Sequence, residues 1–302
     1  MNDIQQIIQE FNNLINARKV KSINIAAAAM DIAPARLSTF LKGTYKGNIP
    51  ETAQIVKNYI ELIRERELTV SDETEFIRIK NAEQVLNICR LVHVQKTFGI
   101  ITSRAGFGKT IPLQKYAETY KDVLYIEVDR AYNARELMNE LHDMCGYSKR
   151  GSINQQKKEI INKLKNSGRM IIVDQCEALG DKSIDLLKTI HDKANIGILL
   201  AGMPRLMELI KGIGGIHEQL YTRVGAALEL KPLGDEDIEK LTQSFLPGSN
   251  GLYKDFIKPC NRNARVLRIL CREAKRIAQN KKMNITPEII AMAKRQLIHE
   301  QE

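Results

Sequence analysis

The sequence predicts an α/β protein, a parallel sheet with helices on both faces, preceded by one all-α unit and followed by another. Three observations predict it. After residue 97, apolar runs recur at 98–102, 123–128, 170–174, 196–201 and 226–230, the first four separated by helix-patterned stretches. Runs that are apolar on both faces belong to strands buried in parallel sheets. The first run leads into the Gly-rich turn Gly106-Phe-Gly-Lys-Thr110, and the third ends on an acid, Asp174. Before residue 67 and after residue 234, only helical periodicity and tight turns are found.

The 302 residues have room for two or three domains. Trp is absent and aromatics are scarce, so the core is expected to be aliphatic. The net charge of +10 points to an anionic partner, and it is concentrated at one end. From Lys254 to Glu302 there are 12 Lys/Arg against five acids. The five cysteines form no C-x-x-C pair, which argues for reduced core thiols and against a disulfide framework or a zinc site. The start, Met1-Asn-Asp-Ile-Gln-Gln, is polar and lacks a leader pattern. No stretch approaches the roughly 18 apolar residues of a membrane span, so a cytoplasmic protein without membrane contact is expected.

The N-terminal unit spans residues 1–66. Ser22 is a good N-cap for a helix over 23–30, and the break Asp31-Ile-Ala-Pro34 separates it from a second helix over 35–42, ended by Gly43. The spacing Ala27, Asp31, Leu37 matches a helix-turn-helix framework: a small residue in the first helix, a turn residue, then an apolar residue in the second. Glycine is usual at the turn, and Asp tolerates positive φ better than most residues. A recognition helix there presents Arg36, Ser38, Thr39 and Lys42, with Tyr45 and Lys46 just beyond, to double-stranded DNA. Hydroxyls pair with many base edges and cations favour phosphates, so little sequence preference is expected. Residues 1–67 carry nine Lys/Arg against seven acids, which predicts weak binding by this unit alone. The same spacing also fits a helical hairpin with no DNA role. The charged segment 67–75 reads as a linker.

In the α/β core, 76–233, the chemistry follows from the turn after the first strand. Glycines let backbone N–H groups close around phosphate oxygens, and the following helix N-terminus favours negative charge. The loop Ala105, Gly106, Phe107, Gly108, Lys109, Thr110 and Ile111 is thus an expected ATP site. Lys109 would reach the β/γ-phosphates, and Thr110 with Asp174 would hold Mg²⁺. One departure is visible: Ser103 stands where the pattern G-x-x-x-x-G-K-[ST] has its first glycine. A second follows Asp174, where Gln175 cannot act as a general base and Glu177 is the nearest acid that could. Binding is expected, with slow hydrolysis.

The order of this loop, the Asp174 strand, Leu200-Ala-Gly-Met-Pro-Arg-Leu206, Gln219-Leu-Tyr-Thr-Arg223 and Asn263-Ala-Arg265 resembles the AAA+ P-loop ATPases that regulate DNA transposition, of the Mu B type with TnsC-like relatives. Leu37-Ser-Thr-Phe-Leu-Lys-Gly-Thr-Tyr-Lys-Gly47 is similar to the end of the helix-turn-helix domain of that type. The resemblance implies that 234–302 is a helical lid and that Arg223 is an arginine finger offered to a neighbouring subunit. It implies that Arg265 reaches the nucleotide from the lid and that Phe76–Lys80 packs near the adenine. Gly202 and Met203 stand where such proteins favour a polar sensor residue, a second reason to expect slow turnover. It further implies a DNA-associated protein that assembles with itself as a filament or ring and serves a transposase; with Gln175 in place of the usual Glu, weak hydrolysis that DNA stimulates is expected. Two other readings share these motifs: a nucleotide-switched transcription regulator, and a helicase-loader or replication-initiator ATPase.

Overall fold

The computed structural model describes residues 2–70, 76–148, 151–211, 222–249 and 251–297. The chain divides into two units, Met1–Glu73 and Thr74–Glu302.

The first unit is all-α. Helices α1 (Asn2–Asn16), α2 (Ile23–Ala29), α3 (Pro34–Leu41) and α4 (Ile49–Val70) surround a core that includes Phe11, Ala26, Ala27, Leu37, Phe40, Val56 and Ile60. Local chemistry explains the α2–α3 turn. Ser22 caps α2 by accepting the Ile25 N–H at 3.2 Å, and Pro34 opens α3 at a position where its missing N–H costs nothing. Asp31 takes the left-handed conformation with φ 53°, the role expected of it in the turn. Gly43, at φ 71°, follows α3. The expected linker 67–75 begins too early, because α4 continues to Val70. Glu65-Arg-Glu-Leu contains neither Gly nor Pro, and all four residues favour helix strongly enough to extend it without an apolar period.

The second unit holds a five-stranded, all-parallel sheet. Helix α5 (Lys80–Gln95) precedes β1 (Phe98–Thr102), which is followed by α6 (Thr110–Thr119) and β2 (Val123–Glu127). Then come α7 (Ala134–Met144), α8 (Ile153–Leu164), β3 (Met170–Asp174), α9 (Asp181–Ala194), β4 (Gly197–Gly202), α10 (Arg205–Lys211) and β5 (Val224–Glu229). The strand order is β2-β3-β4-β1-β5. β1, β3 and β4 are buried at every residue, as strands apolar on both faces must be. One apolar cluster covers one face with residues of α5 and α6, including Val85, Cys89, Leu113 and Tyr116. Another covers the opposite face with residues of α7 to α10.

Helices α11 (Asp235–Phe245), α12 (Tyr253–Cys260), α13 (Ala264–Lys281) and α14 (Pro287–Arg295) complete the unit. Segments 76–233 and 234–302, expected as separate domains, fall in one compact unit. The reason is shared packing: the core of α11–α14 includes Ile79 and Ala82 from the start of α5. Asp237 adds a polar tie, accepting the Lys80 N–H at 2.7 Å. All five cysteines are buried and none is in a disulfide.

The topology sets the position of the site. β1 runs on to β2 at one edge of the sheet, whereas β4 runs on past β1 to β5 at the other edge. The connections leaving β1 and β4 therefore diverge, and a crevice forms outside their C-terminal ends. In register, Thr102 lies beside Gly202, and Glu127 lies beside Asp174.

Candidate active site

The loop after β1 is shaped for an anion. Gly106 and Gly108 have φ of 81° and 90°, which only glycine adopts without strain, and Thr110 opens α6. The loop lines a cavity of about 460 Å³ together with Asp174, Gln175, Glu177, Gly202 and Met203 from the strand ends. Its other wall is apolar, formed by Phe76, Ile77, Ile79 and Ala82 with Leu241 and Phe245 of α11. Of the segment 76–80 expected beside a base, Phe76, Ile77 and Ile79 line this cavity. Arg265 and Arg268, at the start of α13, line it as well.

Lys109 is the best-held side chain of the loop. Its Nζ donates to the Ser103 carbonyl at 2.8 Å and to Ser103 Oγ at 2.7 Å. The residue that departs from the glycine pattern thus supplies a hydroxyl acceptor to the loop lysine. Burial pushes the Lys109 pKa below the usual lysine value; Asp174 and Glu177 pull it back up, and Arg265 adds to the lowering. Asp174, Glu177 and Arg265 thus lie within electrostatic reach of Lys109.

Asp174 is 1 % exposed and ends β3. One carboxylate oxygen accepts the Gln175 N–H at 2.9 Å, and the other accepts the Tyr125 hydroxyl at 3.3 Å. Burial, reinforced by Asp174, holds Tyr125 protonated well above its ordinary range. Thr110 and Asp174 both line the cavity; their hydroxyl and carboxylate are hard oxygen donors, a set whose chemistry fits Mg²⁺. The apolar pocket, the two positive-φ glycines and the half-buried lysine likewise fit a nucleoside triphosphate.

Gln175 and Glu177 diverge. Gln175 is left-handed at φ 61°, and its side-chain amide donates to Glu127 at the end of β2. Glu177 lies in a short 3₁₀ turn, Cys176–Ala178, and one of its oxygens accepts the Met203 N–H at 2.9 Å. A Cβ at Gly202 would lie 2.5 Å from that same oxygen. Glycine at position 202 therefore has a steric reason: Glu177 fills the space that a polar sensor side chain would need.

The other expected site residues are placed unequally. Ala105 and Ile111 line the cavity, and Ile111 is exposed. Phe107 contributes backbone, its carbonyl accepting from Asn81 at 3.0 Å. Arg223 is far from its own chain's loop. It directly precedes Val224, which pairs with Phe98 at the start of β1, so the length of β1, roughly 15 Å, separates it from the loop. There it forms an ion pair with Asp192 of α9 at 2.8 Å. Residues 219–221 of that motif lie outside the described residues. Two residues were assigned no role toward the loop yet contact it: Asn263 donates to the Ala105 carbonyl at 2.8 Å, and Asn81 holds Phe107.

In the first unit, the expected DNA-facing set is split. Arg36 turns back on its own unit, donating twice to Thr52 Oγ1 at 2.9 and 3.1 Å, pairing with Glu51 at 3.2 Å and lying 5.8 Å from the Tyr45 ring centre. The Thr39 hydroxyl is used within α3, donating to the Ala35 carbonyl at 2.7 Å. Tyr45 packs against the helical core. Ser38 is half-buried, and Lys42 and Lys46 are exposed.

The fold is that of the P-loop AAA+ class, and the cavity at its strand ends has the shape and side chains to suit a nucleotide. Residues 92–210 match the AAA domain family. The chain is similar to the Mu-like prophage FluMu DNA transposition protein B of Haemophilus influenzae, with 23% identity over 69% of this chain and 75% of that protein. It is also similar to the ATP-dependent target DNA activator B of Escherichia phage Mu, with 18% identity over 71% of this chain and 70% of that one. Among solved structures, the Aeropyrum pernix ORC2 protein in ADPNP-ADP complexes has a TM-score of 0.58 at 14% identity, covering 76% of this chain and 71% of that one. At that identity the likeness is one of fold.

Proposed function

We propose that this chain is an ATP-dependent, largely non-sequence-specific DNA-binding ATPase that oligomerises on DNA, selects target DNA and activates a transposase. The observation that carries the reading is the cavity where Lys109, Thr110, Asp174, Glu177 and Arg265 meet an apolar pocket. The names of the relatives, a DNA transposition protein and an ATP-dependent target DNA activator, supply the process.

In this reading Lys109 and the loop amides bind the β- and γ-phosphates. Thr110 and Asp174 hold Mg²⁺, which when bound neutralises charge on the phosphates. Glu177, the acid on the cavity wall, accepts the proton of the attacking water. Its bond to Met203 fixes its orientation but engages a lone pair, in keeping with slow turnover. Arg223, remote from its own loop, acts in this reading on a neighbouring subunit's nucleotide, so ATP bridges subunits and hydrolysis releases them. DNA affinity then sums over subunits, with Lys42 and Lys46 of each first unit and the basic face of α13 carrying Arg268, Arg272, Lys275 and Arg276 as the phosphate contacts.

Negative-stain microscopy with DNA and a non-hydrolysable ATP analogue tests this. Helical filaments or rings that need both ligands are the expected result. Particles that remain monomeric with every combination would overturn the assembly model. Footprinting should show uniform coverage; a single protected palindrome would instead indicate a transcription regulator.

A further inference from the structure

The phosphate loop is held from outside by its carbonyl groups. Three successive carbonyls each accept a hydrogen bond: Ala105 from Asn263 Nδ2 at 2.8 Å, Gly106 from the Ala264 N–H at 2.8 Å, and Phe107 from Asn81 Nδ2 at 3.0 Å. No peptide bond among the described residues is cis. In a trans peptide the N–H points opposite to the C=O across the same plane. Fixing these carbonyls therefore turns the N–H groups of Gly106, Phe107 and Gly108 to the opposite side, away from their three holders. Successive N–H groups facing one way form an anion nest.

Asn263 is built into this arrangement with both ends of its amide in use. Oδ1 caps α13, accepting from Arg265 N at 3.0 Å and Val266 N at 3.2 Å, which leaves Nδ2 for the loop. It lies directly against Gly106, where a Cβ would come within 2.1 Å of Asn263 Oδ1. The chain arrives there through two consecutive left-handed residues, Asn261 at φ 47° and Arg262 at φ 55°. Such a pair is costly outside glycine and persists only where its surroundings enforce it. Here Arg262 is pinned by the Leu233 carbonyl at 2.9 Å and by Asp235 at 2.7 Å.

We propose that Asn263, with Asn81 as a second support, is a nucleotide-positioning residue: it pre-orients the N–H groups of residues 106–108 for a nucleotide's phosphates and ties the start of α13 to the loop. This rests on the reading of the loop as an ATP site. The two roles of Asn263 can be separated by Asn263→Ser. A serine still caps the helix, whereas its hydroxyl is too short to reach Ala105. In the full-length protein, Asn263→Ser should weaken binding of a fluorescent ATP analogue by about tenfold, while the melting temperature without nucleotide stays close to the parent's. Hydrogen exchange should show less nucleotide-induced protection of the 106–108 amides. Parent-like affinity and protection in Asn263→Ser, with Asn263→Ala lowering only the melting temperature, would reduce Asn263 to a helix cap and overturn the proposal. If the unsubstituted protein bound no nucleotide, the ATP reading itself would fail, which is a distinguishable result.

Discussion

Lys109 and Arg36 are both cations in a motif, and their surroundings differ in kind. Lys109 is partly buried on the wall of an open cavity, where its partners are loop oxygens and its neighbours include two acids and Arg265. Arg36 is spent on its own unit, between Thr52, Glu51 and Tyr45. The cavity residues converge on space that a ligand can enter. In the helical unit, half of the expected surface, Arg36, Thr39 and Tyr45, is absorbed by local structure. The lesson is that a motif cation becomes a binding residue only where the fold leaves its charge aimed at solvent-accessible space.

The comparison breaks most sharply at the acid. Glu177→Gln should reduce DNA-stimulated ATP turnover by roughly 10²–10⁴-fold, the usual contribution of a positioned general base, while nucleotide binding is retained. Gln175→Glu is the counter-test. The side chain at 175 is directed at Glu127, and a carboxylate there would face Glu127 and Asp174, so turnover should rise no more than a few-fold. Steady-state phosphate release with and without DNA measures both. A large gain in Gln175→Glu with Glu177→Gln still active would reverse the assignment.

Second in size is Lys109→Ala. Loss of the ammonium should cost nucleotide affinity on the order of 100-fold, about 2.7 kcal/mol, and abolish ATP-dependent assembly with it. Titration calorimetry and microscopy on the same sample check the linkage. Filaments that form normally without measurable ATP binding would separate the two and sink the model of ATP as the bridge between subunits.

What could be read from the sequence follows the range of the interactions involved. The strand over 98–102, the one over 170–174, the Ser22 cap and the left-handed Asp31 all depend on residues within a few positions of each other, so their patterns were visible. Ser103 could be seen as a departure, but its function could not, because it depends on where the Lys109 side chain folds back. Asn81 and Asn263 were beyond reach: their partners lie 26 and 158 residues away and are backbone carbonyls, which leave no mark on the sequence. The contacts of Arg36 were out of reach for the same reason, since Thr52 and Glu51 come from the next helix. The capping arrangement at Asn263 offered one clue, an Asn three residues before an apolar helix position.

The third test asks whether Arg36 is structural. Arg36→Ala removes both donors to Thr52 Oγ1, a fully buried residue whose hydroxyl still donates to the Asn48 carbonyl at 2.8 Å. The expected cost is about 1–2 kcal/mol of stability, little of it from the exposed Glu51 pair. Thermal or urea unfolding should show the loss at every salt concentration. A variant with parent stability and collapsed DNA affinity would return Arg36 to the DNA-binding set.

The smallest effect belongs to the exposed lysines, and it is the most diagnostic for the helical unit. Lys42 and Lys46 are exposed, and Lys42 directly follows α3. If they touch phosphates, each substitution by Ala removes about one released counterion per bound subunit. The slope of log affinity against log salt should then shallow by about 1 for each, whatever the DNA sequence, while the melting temperature stays fixed. In an assembly this small change repeats once per subunit, so it should appear more strongly in filament formation than in binding by the isolated chain. An unchanged slope in the double variant Lys42→Ala, Lys46→Ala would remove the first unit from the DNA path and leave the basic face of α13 as the surface to test.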